Sequence, residues 1–413
     1  MGMNTKQKLM YFENFINTFN SNNESVLLDA LEMTKKEAVL EVHKYKISQL
    51  SGKDQRWHTY IPADTKRGIK EIKKPTEREL INFLVEFYGL SGSTVSELYT
   101  DWLKYKETIT GSMSTIRRHE QHWNKYFVNE KSKLLNMNVA KVDTLTLQSE
   151  CNQLVKKYNM TRREWQNVKT IINGMFEYAY EKHLIKENPC ERLKITVKFR
   201  QENKKMSETQ VYQGAEYTDI LTYLDRMYSE TEDLVFIAVK FQFYTGLRVG
   251  ELVALKWKDV DLSKKTLHVI REEASDAWKD ETGWHEKRTV VEHTKTNQDR
   301  IISLLPKALE LLKKVEPGQE PGQQESWIFH RGNERITERQ VNYVLEKYAE
   351  RNNTITKSSH KLRKTYASRM NAAGVPLDVI QRDLGHADAK TTLKYLYNAY
   401  DESTTYDLKA NAI

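Results

Sequence analysis

Cysteine is scarce: Cys151 and Cys190 are the two in 413 residues, far apart and outside any CxxC pair. That argues against a disulfide framework and a thiolate zinc site, and it suits a reducing compartment. Long hydrophobic runs are missing too; none approaches the ~18 residues that span a bilayer. The segment from Met1 to Lys6 has no apolar stretch of the kind that opens an export signal. No internal repeat is visible. No carboxylate cluster and no His/Cys set with metal-ligand spacing stands out, so no metal and no cofactor is expected. These absences predict a cytoplasmic chain with no membrane attachment.

What is present is an ordinary globular composition, 39% hydrophobic and 30% charged. The length suggests two to four domains. Lys and Arg number 65 against 57 Asp and Glu, a net charge of +8. An excess of that size fits a polyanionic partner such as nucleic acid, and it equally fits a solvated basic surface.

The pattern changes three times along the chain. Residues 1–88 form a small α/β unit. A helical period covers 6–50, with Ser25 as a possible cap. Strands follow at 57–61 and 67–74, the second rich in lysine, with a turn at 64–68. Thr76 opens a helix and Glu79 stands in capping-box position. Such a basic hairpin lies on a phosphate backbone or is merely solvated, and local sequence does not separate the two. Gly89 to Ser93 reads as a linker. Residues 93–193 show only helical periods, opened by Thr94, Ser114, Thr144 and Thr161 and closed at Asn188-Pro189. Residues 194–206 are a basic linker.

From 207 to 413 the pattern is mixed. Ser207 and Thr218 are candidate caps, and 234–244 is an apolar helix. Strands are expected at 266–270, 289–291 and 300–304. Helices are expected at 306–315, 337–351, 360–373 and 376–384, with a Pro/Gly loop at 316–322. The fold class is α+β, mostly α.

Three motifs in this last unit carry chemistry. The first is Thr245-Gly246-Leu247-Arg248-Val249-Gly250-Glu251. Its glycines permit a tight turn that aims Arg248 inward, with Glu251 one helical turn on. The second is His360-Lys361-Leu362-Arg363, where the i, i+3 spacing puts His360 and Arg363 on one helix face near an anion-favouring N-terminus. The third is Leu384-Gly385-His386, followed by Thr391-Thr392-Leu393-Lys394-Tyr395. Taken singly, each has a plain structural reading: a surface arginine, polar helix residues, a capping histidine, a core tyrosine.

Their conjunction, Arg, then His-x-x-Arg, then His, then Tyr, resembles the tyrosine recombinase (phage integrase) family over nearly all of 207–400. The resemblance implies a helical core-binding domain at 93–193 and a mixed catalytic domain with a small antiparallel sheet at 207–413. It implies an arm-binding unit at 1–88, like those of integrases from conjugative transposons and temperate phages. The family also uses a lysine on a β-hairpin. Lys295 fits that place, whereas the setting of nearby Lys287 does not. An insertion at 272–288 carries Trp278 and Trp284, which are expected to pack against the domain; it has no assigned role.

By that resemblance the catalytic set is Arg248, Lys295, His360, Arg363, His386 and Tyr395. Arginine forks suit the charge that builds on phosphoryl oxygens. Tyr395 forms a 3′-phosphotyrosyl bond, which conserves bond energy and needs no ATP. A phenol with an ordinary pKa near 10 needs a base. His360 assists at the nucleophile and phosphate, His386 donates a hydrogen bond to the phosphate, and Lys295 protonates the leaving 5′-oxygen. Glu251 supports the arginines without touching substrate. Tyr397 and Tyr400 are rival nucleophiles, and the family's spacing favours Tyr395.

The leading expectation is an integrase that inserts and excises a mobile element. It acts as a homo-tetramer on double-stranded core and arm DNA, near the nucleoid, with an excisionase or DNA-bending protein as a partner. A resolvase of chromosome or plasmid dimers and an inactive DNA-binding regulator are the alternatives.

Overall fold

The computed structural model describes residues 9, 24–65, 67–90, 92–203, 205–294, 299–316 and 323–412. The chain divides into two compact units, 1–202 and 203–413.

In the first unit, helix α1 (Glu24–Val42) is followed by a three-stranded antiparallel sheet, β1 (Ser48–Gln49), β2 (Trp57–Pro62) and β3 (Ile69–Lys74), in that order. The helical period expected as far as residue 50 stops at Val42, and Ser25 lies inside the helix instead of capping it. Residues 6–8 and 10–23 of that expectation lie outside the described residues. Tertiary contacts override the period. His43 is buried, with its ring nitrogens 2.6 Å from Thr59 Oγ1 and 2.9 Å from Tyr88 Oη. Ser48 and Gln49 then pair with β2.

Helix α2 (Glu77–Phe87) starts where expected, with the Thr76 side chain accepting from Glu79 N. Leu31, Val39, Ile61, Leu80 and Leu84 form the core between the two helices and the sheet. Lys70 and Lys73 of β3 stay exposed.

The same unit continues with helices α3 (Val95–Ile109), α4 (Met113–Trp123), α5 (Thr144–Lys157) and α6 (Arg162–Glu181). Thr94 and Thr161 complete capping boxes with Glu97 and Glu164. The other two starts move slightly: Ser112 and Asp143 take the cap positions instead of Ser114 and Thr144. A π-helical turn, Asn124–Val128, extends α4. Its wider period lets Trp123, Tyr126 and Phe127 all be buried in one core. Ile195, Val197 and Phe199 pack on that core, so the first half of the basic stretch at 194–206 is fastened to this unit.

The second unit is organised around α8 (Leu234–Thr245), which follows α7 (Gly214–Thr231). Thr218 lies inside α7; Gln213 holds its cap position. Helix α8 is apolar nearly all round, the signature of a buried helix; its Lys240 pairs with Asp225 of α7 and its buried Gln242 donates to Leu247 O. It is enclosed by α7, α10 (Pro306–Val315), α11 (Glu338–Asn352) and α12 (Ser359–Ala372). Between α8 and α10 come the short helix α9 (Val249–Leu252), the sheet β4 (Val260–Asp261), β5 (Thr266–Val269) and β8 (Arg300–Ser303), and a ribbon of β6 (Glu272–Asp280) and β7 (Gly283–Val291). After α12 come α13 (Leu377–Leu384), α14 (Ala389–Leu393) and α15 (Glu402–Ala410).

The insertion at 272–288 is thus a two-stranded ribbon whose 9-residue strands each run roughly 30 Å. Its tryptophans do not join the domain core, contrary to the expectation. Trp278 is 43% exposed and stacks on His285 across the strands at 5.4 Å. Lys279 Nζ sits 5.6 Å from the Trp284 ring centroid. The ribbon's own cross-strand neighbours engage both rings. Its root is fixed by buried Arg271, which donates to Asp259 Oδ2 (2.5 Å) and Glu292 Oε2 (3.1 Å).

Candidate active site

Helix α8 ends at Gly246, whose φ of +66° is the left-handed C-cap conformation that glycine adopts freely. The chain then turns so that Arg248 caps the short α9. Gly250 serves close approach: a Cβ there would stand 2.8 Å from the Glu273 carbonyl of β6. Glu251 is wholly buried and bonded on several sides. Arg248 donates to it through Nη1 (2.7 Å) and through its backbone N (2.8 Å). Arg300, at the start of β8, donates to both carboxylate oxygens, at 2.8 and 2.6 Å. Burial alone would raise the Glu251 pKa. The Arg300 hydrogen bonds and the charges of Arg300, Arg363 and Arg248 outweigh it and hold the group at about 2.

Three arginines meet at the C-terminal end of α13. Arg300 Nε donates to Asp383 O (2.8 Å), Arg363 Nη2 to Leu384 O, and Arg248 Nη2 to Gly385 O (2.9 Å). Arg363 also donates to Gly246 O (2.7 Å), which ties the end of α8 to the end of α13. Arg363 is 1% exposed, and its Nε has no hydrogen-bond partner among the described residues. Burial pulls its pKa down; Glu251 opposes this, while Arg248 and Arg300 add to it.

The two histidines flank Tyr395. The ring centroids of His360 and His386 stand 5.1 and 4.6 Å from that of Tyr395. The Arg363 and Lys364 side chains each lie 5.9 Å from the same ring. His386 is buried, with Nδ1 3.0 Å from Thr392 Oγ1. Desolvation, then the charges of Arg363, Arg248, Arg300 and His360, pull its pKa down to about 3. His360 keeps solvent access. The surrounding protein, and after it Lys364, Arg363, Lys361 and Arg248, lower its pKa to about 4. Both imidazoles are therefore neutral at pH 7.

The sequence-predicted Arg248, Glu251, His360, Arg363, His386 and Tyr395 are thus brought together. Lys295 lies outside the described residues. Lys287 is exposed on β7 opposite Asp276, on the ribbon. Tyr397 is turned to Lys364, whose Nζ is 3.5 Å from its Oη and 4.9 Å from its ring. Tyr400 Oη is 3.5 Å from Ala372 O. Among the described residues no group of three or more His, Cys, Asp or Glu is placed to hold a metal ion, and no helix is long and apolar enough to cross a membrane.

Sequence reading missed Arg300, Thr392 and the three carbonyls at 383–385. Arg300 had one signal, its position opening the expected strand at 300–304. The carbonyls had none, because main-chain acceptors carry no residue identity.

The chain is similar to known proteins. The family model described as "Phage integrase family" matches residues 210–402. An integrase of Staphylococcus phage L54a is 28% identical over 317 residues, covering 73% of this chain and 87% of its own. A tyrosine recombinase XerC-like protein of Caldanaerobacter subterraneus subsp. tengcongensis is 25% identical over 319 residues, 72% of this chain and 78% of its own. In fold, the chain is similar to the Tn1549 transposon integrase solved with transposon right end DNA, with a TM-score of 0.54 and 18% identity over 78% of this chain and all of that one. The matching family model identifies residues 210–402, the stretch that holds this site, as a phage integrase (tyrosine recombinase) domain, and the sequence relatives along most of the chain are recombinases of that kind.

Proposed function

We propose that this site-specific recombinase is an integrase of a mobile element and that Tyr395 is its nucleophile. The observation that carries the assignment is the convergence of His360, His386 and Arg363 on the Tyr395 ring, with Arg248 alongside, while Tyr397 faces Lys364 instead.

In this reading Arg248 and Arg363 hold the non-bridging oxygens of a DNA phosphodiester. The unpaired Nε of buried Arg363 is a donor awaiting an acceptor; such a group costs about 1–3 kcal/mol while unsatisfied. Neutral His360 accepts the Tyr395 proton as the phenolic oxygen attacks phosphorus. In this reading Thr392 Oγ1 donates to His386 Nδ1, so the imidazole proton is assigned to Nε2 and is donated to the phosphate. The P–O5′ bond breaks, Lys295 protonates the leaving oxygen, and a 3′-phosphotyrosyl bond remains. Attack by a second 5′-hydroxyl reverses the step. Charge on phosphorus is met by preorganised cations, whose individual loss typically costs about 10²–10³ in rate.

The test is a nicked suicide substrate. Tyr395→Phe is expected to trap no covalent DNA, and Tyr397→Phe is expected to trap it. Adducts with Tyr395→Phe sink the assignment.

The integrase reading rests on the small unit at 1–88, whose sheet exposes Lys70 and Lys73. Here it binds arm DNA while 93–193 and 207–413 clamp the core site. Two linked sites raise effective concentration and bridge distant DNA. Removing 1–88 is expected to abolish arm binding and spare core cleavage; unchanged arm binding favours a dimer resolvase. In a tetramer, residues from Asp407 onward pack on a neighbouring subunit. Helix α15 buries none of its own residues, and Tyr406 is 71% exposed. Unaltered assembly after deleting 407–413 refutes that part.

A further inference from the structure

Beside the scissile-phosphate site lies a second cationic centre that the mechanism does not use. Lys361 and Lys364 are one turn apart on α12 and share a face. Both ammonium groups donate to the same acceptor, Gln210 Oε1, Lys364 at 2.9 Å. Gln210 is buried, and its amide is fixed: Nε2 donates to Thr209 O (3.1 Å) and Thr209 Oγ1 (3.0 Å), which leaves Oε1 for the lysines.

A neutral carbonyl is poor compensation for two cations. No carboxylate among the described residues pairs with either lysine. The nearby Lys357 is satisfied by Glu216 (2.6 Å), so it brings no free acid to the cluster. Burial, then the charges of Lys364, Lys205 and Lys357, pulls the Lys361 pKa down to about 8. Lys364 is lowered by burial and by Lys205. Like charges held together on a rigid acceptor are the makings of an anion site.

We infer that Lys361 and Lys364, oriented by Gln210, bind a second phosphodiester of the strand that Tyr395 cuts, next to the scissile one. The position argues for DNA over a free anion. Lys364 reaches toward both Tyr395 and Tyr397, with its Nζ 3.5 Å from Tyr397 Oη. A strand laid across Tyr395 brings its neighbouring phosphates past this point. The inference rests on Tyr395 attacking a phosphodiester, and wild-type trapping of unmodified DNA tests that separately.

The experiment is a methylphosphonate scan with the full-length protein. Suicide substrates carry one uncharged methylphosphonate at each position flanking the cleavage site, and the rate of covalent trapping is measured. Wild type is expected to lose about tenfold or more at one flanking position, the scale of a charged hydrogen bond. The Lys361→Ala/Lys364→Ala variant is expected to be slowed similarly on unmodified DNA and to lose nothing further at that position. Lys361→Arg/Lys364→Arg is expected to recover both the rate and the sensitivity, which a folding defect would not predict. The inference is overturned if the alanine variant keeps the wild-type profile across all positions. It is also overturned if inorganic phosphate shifts the lysine resonances while no flanking methylphosphonate slows the wild type.

Discussion

Arg300→Met removes the guanidinium that binds both oxygens of a carboxylate with no solvent exposure. The surrounding cations hold Glu251 at about 2, against an ordinary 4.5. At roughly 1.4 kcal/mol per pH unit, that displacement is worth about 3 kcal/mol. The figure agrees with the ~3–5 kcal/mol typical of removing one partner from a buried pair. Because Arg248 still donates to Glu251 after the substitution, the low end applies, about 3 kcal/mol.

The pH dependence follows from the direction of the displacement. A depressed carboxylate stabilises the fold above its unfolded pKa, and that stability is lost as pH falls from about 4.5 toward 2. In the variant, burial is less opposed and Glu251 titrates higher, so acid relieves the variant while it weakens the wild type. The gap between them should be full at pH 7 and shrink steadily below about pH 4.5. Urea unfolding of both proteins at pH 7 and pH 4, following the transition of the second unit, measures it. Arg300→Lys, which keeps the charge and loses the fork, should fall between. A gap below about 0.5 kcal/mol at pH 7, or one that does not change with pH, refutes the account of Glu251 as a carboxylate held ionised mainly by Arg300.

Three further outcomes are expected. His360 and His386 should stay neutral in free protein down to about pH 5, and DNA binding should raise both values; their ring resonances report this, and free-protein titration near 6.5 contradicts it. Because these pKa values are depressed, the histidines contribute stability above about pH 6.5 that is lost on acidification through that point. Gly250→Ala should cost about 1–3 kcal/mol, since its methyl meets the Glu273 carbonyl at 2.8 Å, and a stability within error of wild type would mean that β6 yields freely. Trp278→Ala should change thermal stability little, by under about 1 kcal/mol, because the ring packs on the ribbon and not in the core; a loss above about 2 kcal/mol would restore the ring to a core role.

The candidate constellation was legible because its members are chemically distinct types in a fixed order, and the structure brings Arg248, His360, Arg363, His386 and Tyr395 together. The four-helix pattern was legible from helical periods opened by starts such as Thr94 and Thr161, which the structure shows as capping boxes with Glu97 and Glu164. Register errors came where a neighbouring polar residue competes for the same orphan N–H groups, as Asp143 does with Thr144. The end of α1 was misjudged because an amphipathic period cannot report His43 being drawn to Thr59 and Tyr88. The ribbon was opaque for a related reason. An alternating charged strand reads the same whether it lies on a domain or projects from it, so Trp278 was given the commoner fate of a tryptophan.

The end of α13 has a further consequence. Carboxylates would hold three arginines as well as three consecutive carbonyls do, but they would also neutralise them. Among the described residues, the ion pairs that these arginines make, from Arg248 and Arg300, go to one acid, Glu251, so positive charge is in excess at the centre. Because the anchors belong to the backbone, the arginines are not held by the side-chain identity at 383 or 384, where Leu384 instead packs in a core cluster and Asp383 accepts from Tyr366 Oη, whereas anything that redirects the chain at Gly385 disturbs all three cations and His386 together. The most sensitive point of the site is therefore the bend in the main chain just before His386.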